Sequence, residues 1–254
     1  MTARSYDYDT KAMTYDALEL DTEGVTKVNL FLKRIFQKNK AKKILDLTCG
    51  TGAQAIYLSN YFNVTAADLS RGMLSVAKKK VKTKKLHIRF KQGDMRHKIY
   101  GKFDGIITMF NAIGHLTKPE FEKTLRNVHR QLNNNGLFAF DIFNMDFMRK
   151  HFVNDFIDTA KTEGDKILVR INHNTLDRKN GIMHLNQHIY FQEHFRLREE
   201  KDSWDMQIYS LKEAEKMLNK NGFKLVSVRG PGAGTFKGDG SISFLLVARK
   251  VHQS

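Results

Sequence analysis

The stretch Lys43-Ile-Leu-Asp-Leu-Thr-Cys-Gly-Thr-Gly52 decides the fold of this 254-residue chain. A short apolar run ends in two glycines, and a helical pattern begins directly after them. This arrangement predicts a strand, a tight turn and a helix whose N-terminus can hold an adenosine-containing ligand. Because the unit lies early in the chain, we expect it to open the main sheet.

Further predicted strands follow, with helices between most of them. The strands are predicted over residues 44–47, 63–68, 86–90, 103–109, 137–142, 223–228 and 242–247. Alternation of strands and helices is typical of a sheet wound on both faces. The predicted fold class is therefore α/β, a Rossmann-like, doubly wound, mostly parallel sheet of seven strands.

A different pattern occupies residues 155–202. Asn180-Gly181 is a hairpin turn signal, and the residues after it alternate between apolar odd and polar even positions. The apolar positions are Leu185, Ile189, Phe191, Phe195 and Leu197. We interpret them as one long antiparallel strand with an apolar and a polar face. This segment is predicted to be an inserted antiparallel β-hairpin layer.

The composition limits the class of protein without fixing it. The net charge of +16 is compatible with nucleic-acid binding or with a solvated basic surface. The single cysteine, Cys49, excludes an intramolecular disulfide and fits a reducing compartment. We find no apolar run long enough for a membrane span and no signal-peptide pattern in the polar residues 1–16, so we predict a cytoplasmic protein with no membrane partner.

Acidic residues follow three predicted strands, at Asp46, Asp68 and Asp94. Because ligands in such sheets lie at the carboxyl ends of the strands, these residues predict one cleft. Gly50-Thr-Gly52-Ala-Gln-Ala55 also matches the dinucleotide pattern G-x-G-x-x-A, so two cofactor classes fit the turn. We find no Tyr-x-x-x-Lys pair or other relay for hydride transfer, and Asp94-Met95 suits the rim of an adenine ring.

Four motifs, in order, resemble those of the class I S-adenosylmethionine-dependent methyltransferases. They are Asp46–Gly52, Asp68-Leu-Ser-x-x-Met73, Gly93-Asp-Met95 and Phe103-Asp104. The resemblance covers roughly residues 40–145 and implies that S-adenosyl-L-methionine is the cofactor. It also implies the cofactor-binding residues, which are Tyr15, Asp46, Thr48, Gly50, Gly52, Asp68, Leu69, Met73, Asp94, Met95 and Met109. Asp68 would hold the ribose, Asp94 and Met95 the adenine, and Asp46 the methionine amino group.

The loop Met109-Phe-Asn-Ala-Ile-Gly-His-Leu116 bears on the methyl acceptor. It has no Pro-Pro-Tyr, as in DNA-adenine enzymes, and no Pro-Cys, as in cytosine-C5 enzymes. It resembles glycine/sarcosine N-methyltransferases, and the stretch from Gly93 resembles amino-sugar N,N-dimethyltransferases. That resemblance implies catalytic roles for Asn111 and His115, which would face the acceptor, and for Tyr15 near the sulfonium. His115 could accept a proton from the nucleophile.

The sequence therefore predicts a methyltransferase that acts on a small molecule, at nitrogen. Two alternatives stay open: an RNA-modifying methyltransferase and a non-catalytic S-adenosylmethionine-binding protein.

We expect residues 1–254 to form one domain, with a helical cap over 1–40 and the insertion over 150–205 covering the acceptor site. We expect a monomer or homodimer. No metal is predicted, because His184 and His188 on a strand would stand about 13 Å apart.

Overall fold

The computed structural model describes residues 6–16, 22–164, 166–194 and 196–251. The strands are β1 (Lys43–Asp46), β2 (Asn63–Asp68), β3 (Arg89–Gln92), β4 (Phe103–Thr108), β5 (Leu132–Phe143), β6 (Asp155–Glu163), β7 (Lys166–His173), β8 (Thr175–Asp177), β9 (Ile182–Glu193), β10 (Arg196–Gln207), β11 (Phe223–Arg229) and β12 (Ser243–Lys250). The α-helices are α1 (Tyr8–Lys11), α2 (Thr22–Lys38), α3 (Ala53–Leu58), α4 (Arg71–Lys84), α5 (Lys118–Gln131), α6 (Met145–His151) and α7 (Leu211–Lys220).

The main sheet has seven strands in the order β11-β12-β5-β4-β1-β2-β3. Neighbouring strands from β5 to β3 run parallel, whereas β12 is antiparallel to both β5 and β11. The predicted fold class is therefore confirmed. Strand β1 lies between β4 and β2, and the three strands run parallel. Their carboxyl ends therefore meet at one edge of the sheet, where the predicted cleft should lie.

The apolar run of β1 reflects burial on both faces of the sheet. Ile44 packs with Phe36 and Leu58 on the side of α2 and α3. Leu45 packs on the opposite side, with the core residues of α5 and α7. A strand that is covered on both faces needs successive apolar residues rather than alternating ones, which explains why this stretch of sequence marks the fold so clearly.

Side chains cap the N-termini of three helices. Thr117 and Glu120 form a capping box at α5, and Ser210 and Glu213 form another at α7. Ser70 caps α4 by accepting a hydrogen bond from the Met73 amide at 3.0 Å. These side chains satisfy amide groups that a helix N-terminus leaves without partners.

The inserted segment forms a second, antiparallel sheet of five strands. Its order is β10-β9-β7-β6, and β8 pairs with β9. The prediction of a single long strand through Leu197 is wrong. Strand β9 ends at Glu193, and the chain turns so that Arg196 of β10 pairs with Glu193. His194 adopts a left-handed conformation at φ 54° without any Gly, Asn or Pro to signal the turn. Phe195, which the same pattern included, lies outside the described residues.

The inner face of this second sheet packs on helix α6. Met183, Leu185 and Trp204 form an apolar cluster with Met145 and Met148. In the main sheet, the edge strand β3 begins later than predicted. Helix α4 ends there, since Lys85 has φ 53° and the Leu86 amide donates to the Val81 carbonyl.

Within the described ranges, no helix has the length and apolar character needed to cross a membrane.

Candidate active site

A cavity of about 540 Å³ lies over the carboxyl edge of the main sheet. We call it the strand-end cavity. It brings together most of the residues that the sequence predicts for cofactor binding and catalysis. These residues are Tyr15, Thr48, Gly50, Asp68, Leu69, Met73, Asp94, Met95, Met109 and His115. Residues at the carboxyl ends of β1, β2, β3 and β4 thus share one cavity, and their roles stay predictions.

Three predicted residues do not line this cavity. Asp46 is buried beneath it, with 1% of its surface exposed. Gly52 is the N-cap of α3, where φ is 94° and a Cβ would meet Ile56 Cδ1 at 3.0 Å, so the position serves the turn itself. Asn111 lines a neighbouring cavity instead.

Asp68 ties the glycine turn to helix α4. Its Oδ2 accepts a hydrogen bond from the Gly50 amide at 2.7 Å, and its Oδ1 accepts one from the Ser70 amide at 2.9 Å. Burial raises the pKa of this carboxyl, while the two amide donors act to lower it. A Cβ at Gly50 would find no atom within 4 Å, so the backbone here faces open space.

Asp94 is oriented by Arg96. The guanidinium donates to both carboxylate oxygens of Asp94, through Nε at 3.0 and 2.9 Å and Nη2 at 2.6 Å, and it also pairs with Glu120. Burial acts to raise the pKa of Asp94, but the bonds from Arg96 outweigh it and leave the pKa below its usual value. The cavity thus holds an ionised carboxylate in a fixed position.

Asp46 is the most perturbed carboxyl of this region. Burial, with a smaller contribution from the Asp68 carboxylate, raises its pKa to about 8. Its Oδ1 accepts a bond from the Thr48 amide at 3.3 Å, whereas its enclosed Oδ2 has no hydrogen-bond partner among the described residues. Such an atom is costly to bury unless a ligand with a donor or a positive charge approaches it.

A second cavity, of about 660 Å³, adjoins the first. We call it the chamber. It lies between the carboxyl edge of the main sheet, helix α6 and the inner face of the antiparallel sheet. Four aromatic residues line both cavities: Tyr6, Tyr8, Tyr15 and Phe110. A ligand in one cavity can therefore approach a ligand in the other at this aromatic junction.

The N-terminal segment 6–16 is held across the junction by three acidic or basic side chains. Asp9 Oδ1 accepts bonds from Ser70 Oγ and the Gly72 amide, both at 2.7 Å. Lys11 pairs with Asp202 of β10 at 3.0 Å, and Asp16 bonds Thr51 and Lys80. These contacts fix Tyr8 and Tyr15 over the cavities.

His115 lies at the junction, with its Nε2 2.7 Å from the hydroxyl of Tyr8. Burial lowers the pKa of His115 to about 4, so the ring is neutral at pH 7.

Asn111 is in a left-handed conformation at φ 54°. Its Oδ1 accepts the Phe143 amide at 3.1 Å, and its Nδ2 lies 3.0 Å from Met206 Sδ. Asn111 therefore joins the main sheet to the antiparallel sheet.

Sequence reasoning missed several residues of these cavities, among them Tyr8, Arg96 and Asp141. Asp141 could have been predicted, because it is an acidic residue near the end of an apolar strand, as Asp46 and Asp68 are. Its Oδ2 accepts the Asn111 amide at 3.1 Å, its enclosed Oδ1 has no partner among the described residues, and burial raises its pKa to about 6. The pairing of His115 with Tyr8 had no sequence signal.

The chain matches a known protein family from β1 and the glycine turn through β4 to the start of β5. Residues 44–136 match the family model described as a methyltransferase domain. Over these residues the chain is similar to methyltransferase domains. This agrees with the resemblance drawn from the four sequence motifs.

Curated relatives include several methyltransferases. A putative methyltransferase of Geobacillus sp. is 29% identical, over 61% of this chain and 65% of its own length. A glycine/sarcosine N-methyltransferase of Parasynechococcus marenigrum is 32% identical over 46% and 43%. A dTDP-3-amino-3,4,6-trideoxy-α-D-glucopyranose N,N-dimethyltransferase of Streptomyces venezuelae is 37% identical over 32% and 33%. The chain thus spans less than two thirds of the length of these relatives.

Solved structures show the same fold along almost the whole chain. An S-adenosylmethionine-dependent methyltransferase from Clostridium acetobutylicum superposes with a TM-score of 0.82 at 20% identity, covering 97% of this chain and 100% of that one. The similarity therefore includes the antiparallel sheet as well as the domain that the family model matches.

Proposed function

We propose that this protein transfers a methyl group from S-adenosylmethionine to the nitrogen of a small molecule. The observation that carries the proposal is the junction of two cavities at Tyr15 and Phe110. In this proposal the strand-end cavity takes the cofactor and the chamber takes the acceptor. The insertion covers the acceptor site, and residues 6–16 belong to an N-terminal cap over both.

The strand-end cavity fits the cofactor in charge and shape. Gly50 leaves open backbone beside the cavity, and Asp68 offers a carboxylate for the ribose hydroxyls. Asp94, held by Arg96, would accept from the adenine amino group. The unpartnered Oδ2 of Asp46 would face the positive charge of the methionine part. Leu69, Met73 and Met95 would supply apolar contacts around the base.

Binding of the cofactor is expected to release a proton from Asp46. The pKa of about 8 means that this carboxyl is mostly protonated at pH 7 before binding, and a cation beside it favours the ionised form. Affinity should therefore rise with pH towards about 8. Calorimetry at pH 7 in two buffers of different ionisation enthalpy should show that cofactor binding releases up to about one proton. In Asp46→Asn this proton release should be absent. Equal proton release in that variant would contradict the assignment.

When bound, S-adenosylmethionine would supply a methyl group on a positively charged sulfur, which would leave as a neutral thioether as the acceptor nitrogen takes the methyl group. The residues of this chain mainly have to position the acceptor and exclude water. Tyr15 lies at the junction where the methyl group would pass. His115 stays neutral at pH 7 and would contact the acceptor nitrogen, while Asn111 shapes the wall of the chamber.

Transfer to nitrogen is supported by the relatives and by the loop after β4. The names of two relatives give glycine, sarcosine and an amino sugar as acceptors, each methylated at nitrogen. The loop Met109–Leu116 of this chain resembles that of such enzymes. We therefore place the acceptor amine near Asn111 and His115.

The charge of +16 favours the alternative of an RNA substrate, but the cavities do not share that charge. Among the described residues, no lysine lines either cavity. The two arginines that do are ion-paired, Arg96 with Asp94 and Glu120, and Arg170 with Asp158. A site for a polyanion needs cations that are available to phosphate. The proposal therefore retains a small molecule as the acceptor.

Replacement of His115 or Asn111 by alanine is expected to lower kcat/KM for the acceptor by about 100-fold or more, with little change in cofactor affinity. The expected size follows from the usual contribution of a positioned polar group to proton transfer and orientation. S-adenosylhomocysteine formation on a small-molecule extract measures turnover, and calorimetry measures cofactor binding. If both variants turn over the same substrate at the wild-type rate, this placement of the acceptor is wrong.

A further inference from the structure

Aromatic rings from three separate elements line the chamber. Tyr6 and Tyr8 belong to the N-terminal segment, Phe147 to helix α6, and Trp204 to the inner face of β10. The rings of Tyr6 and Trp204 stand at 69° with their centroids 4.8 Å apart, so they form a corner of the wall. A flat aromatic ligand presents a π face on each side and packs well against side-chain rings. The aromatic walls therefore favour a flat ligand.

Enclosed polar atoms lie on the side of the chamber that the antiparallel sheet forms. Asn172 Oδ1, Gln187 Oε1 and Trp204 Nε1 make no hydrogen bond to any residue that the structure describes. The three residues are buried, with 2%, 6% and 7% of their surfaces exposed. Buried polar groups are nearly always hydrogen-bonded in native proteins. Molecules inside the chamber therefore have to supply the partners of these atoms.

The three polar side chains share one face of three neighbouring strands. Asn172 of β7 pairs directly with Gln187 of β9. Trp204 of β10 pairs with Leu185, which is two residues from Gln187 along β9. Opposite side chains in an antiparallel pair lie about 5 Å apart, and diagonal neighbours about 7–8 Å apart. The polar atoms are thus distributed over a distance comparable to the edge of two fused aromatic rings.

Arg170 adds a further N–H group beside them. It lies two residues from Asn172 on β7, its guanidinium is ion-paired with Asp158, and its Nε is enclosed. The wall combines the N–H groups of Arg170 and Trp204 with two side-chain amides, which both donate and accept hydrogen bonds. Ring nitrogens and an amino group match this mixture, because their lone pairs and N–H bonds point outward in the plane of the ring. An anionic ligand would compete with Asp158 for the guanidinium.

We propose that the acceptor amine is carried by a flat nitrogen heterocycle, whose in-plane heteroatoms bond to Asn172, Gln187 and Trp204. This inference rests on the proposed function and names the substrate class of the chamber. The heterocycle packs between the aromatic walls, and its amine lies at the aromatic junction. The amine lone pair forms the bond to the methyl carbon, the carbon–sulfur bond breaks with its electron pair left on sulfur, and the nitrogen then loses one proton to solvent.

Compounds of similar size separate stacking from hydrogen bonding. 4-Aminoquinazoline has two flat fused rings with nitrogen atoms in the ring plane, and 1-aminonaphthalene has the same rings without those nitrogens. 2-Amino-2-deoxy-D-glucose carries its amine on a saturated ring. With the protein saturated with S-adenosylhomocysteine, calorimetry should show that 4-aminoquinazoline binds at least about tenfold more tightly than either other compound. Equal or tighter binding of either one, or no binding of 4-aminoquinazoline, would overturn the inference.

The same titrations distinguish this inference from the proposed function. Absence of S-adenosylhomocysteine binding would overturn the proposed function, whatever the heterocycle does. Trp204 is the single tryptophan of the chain, so its fluorescence reports entry into the chamber. We expect 4-aminoquinazoline to change this emission at the concentrations where calorimetry detects binding. Unchanged emission during binding would place the ligand outside the chamber and contradict the inference.

A carboxylate compound tests the ion pair of Arg170. Quinazoline-4-carboxylate keeps the flat rings and replaces the amino group by an anion. We expect it to bind at least about tenfold more weakly than 4-aminoquinazoline, because Asp158 already pairs with the guanidinium. Tighter binding of the carboxylate would assign the chamber to an anionic ligand and overturn the inference.

Gln187→Met tests whether the polar wall holds the heterocycle. Methionine has nearly the same shape but removes the amide, so binding of 4-aminoquinazoline should weaken about tenfold, while binding of 1-aminonaphthalene and the melting temperature should stay unchanged. Gln192→Met is the matched control, since Gln192 lies on the same strand but is exposed and does not line the chamber. If Gln187→Met binds both compounds as the control does, or weakens both equally, Gln187 does not recognise the heteroatoms and the inference fails.

Discussion

Replacement of Asp68 by alanine is expected to weaken binding of S-adenosylmethionine at least ~100-fold. The substitution would remove the proposed hydrogen bonds between the carboxylate and the ribose, each worth about 1.5–3 kcal/mol when one partner is charged. It would also leave the amides of Gly50 and Ser70 without the carboxylate that now accepts from them at 2.7 and 2.9 Å. Two such losses of about 1.4 kcal/mol or more correspond to a factor of ~100 in the dissociation constant, and calorimetry measures this directly.

Asp177 provides the matched control for this prediction. Its carboxylate also accepts two backbone amides, from Lys179 and Asn180 at 3.0 Å each, but in a turn of the antiparallel sheet that lines neither cavity. Asp177→Ala should therefore lower the melting temperature without changing cofactor affinity. Equal affinities for the wild-type protein and Asp68→Ala would show that Asp68 does not hold the cofactor.

Gly50→Val is expected to abolish measurable binding of the cofactor while the domain still folds. At Gly50 the backbone has φ 51°, and the space that a side chain would enter contains no protein atom within 4 Å. Valine would fill this space beside the strand-end cavity and would cost about 1–2 kcal/mol in a left-handed conformation. We expect a lower melting temperature and a cofactor affinity reduced by ~100-fold or more.

Gly164→Val separates the two effects of that substitution. Gly164, in the turn between β6 and β7, has φ 60°, and a Cβ added there would likewise meet no atom within 4 Å. It carries the same backbone strain but lines neither cavity. If Gly164→Val reduced cofactor binding as strongly as Gly50→Val, the effect would come from lost stability and not from the turn.

The main sheet and most residues of the strand-end cavity were predictable from sequence for one physical reason. Buried parallel strands are continuous apolar runs, and the polar residue that follows each run has to lie at the carboxyl edge. Asp46, Asp68 and Asp94 could therefore be found without knowledge of the tertiary structure. Asp141 obeys the same rule.

The chamber and the aromatic junction were less predictable because they depend on long-range register. Asn172 and Gln187 meet through the pairing of β7 with β9, and His115 meets Tyr8 across 107 residues of sequence. The turn after Glu193 was hidden because it continues the alternation of apolar and polar positions without a glycine or proline. Resemblance indicated Asn111, but not that its side chain would bond Phe143 and Met206.

The central claim is that this protein methylates a small-molecule amine, and one labelling measurement tests it most directly. The purified protein is incubated with methyl-deuterated S-adenosylmethionine and, separately, with the metabolite fraction and the RNA fraction of the same cells. Our account predicts deuterated methyl groups on the nitrogen of a small molecule, lost in Asp68→Ala and retained in Asp177→Ala. Label in the RNA fraction alone, or in neither fraction despite bound cofactor, would contradict it.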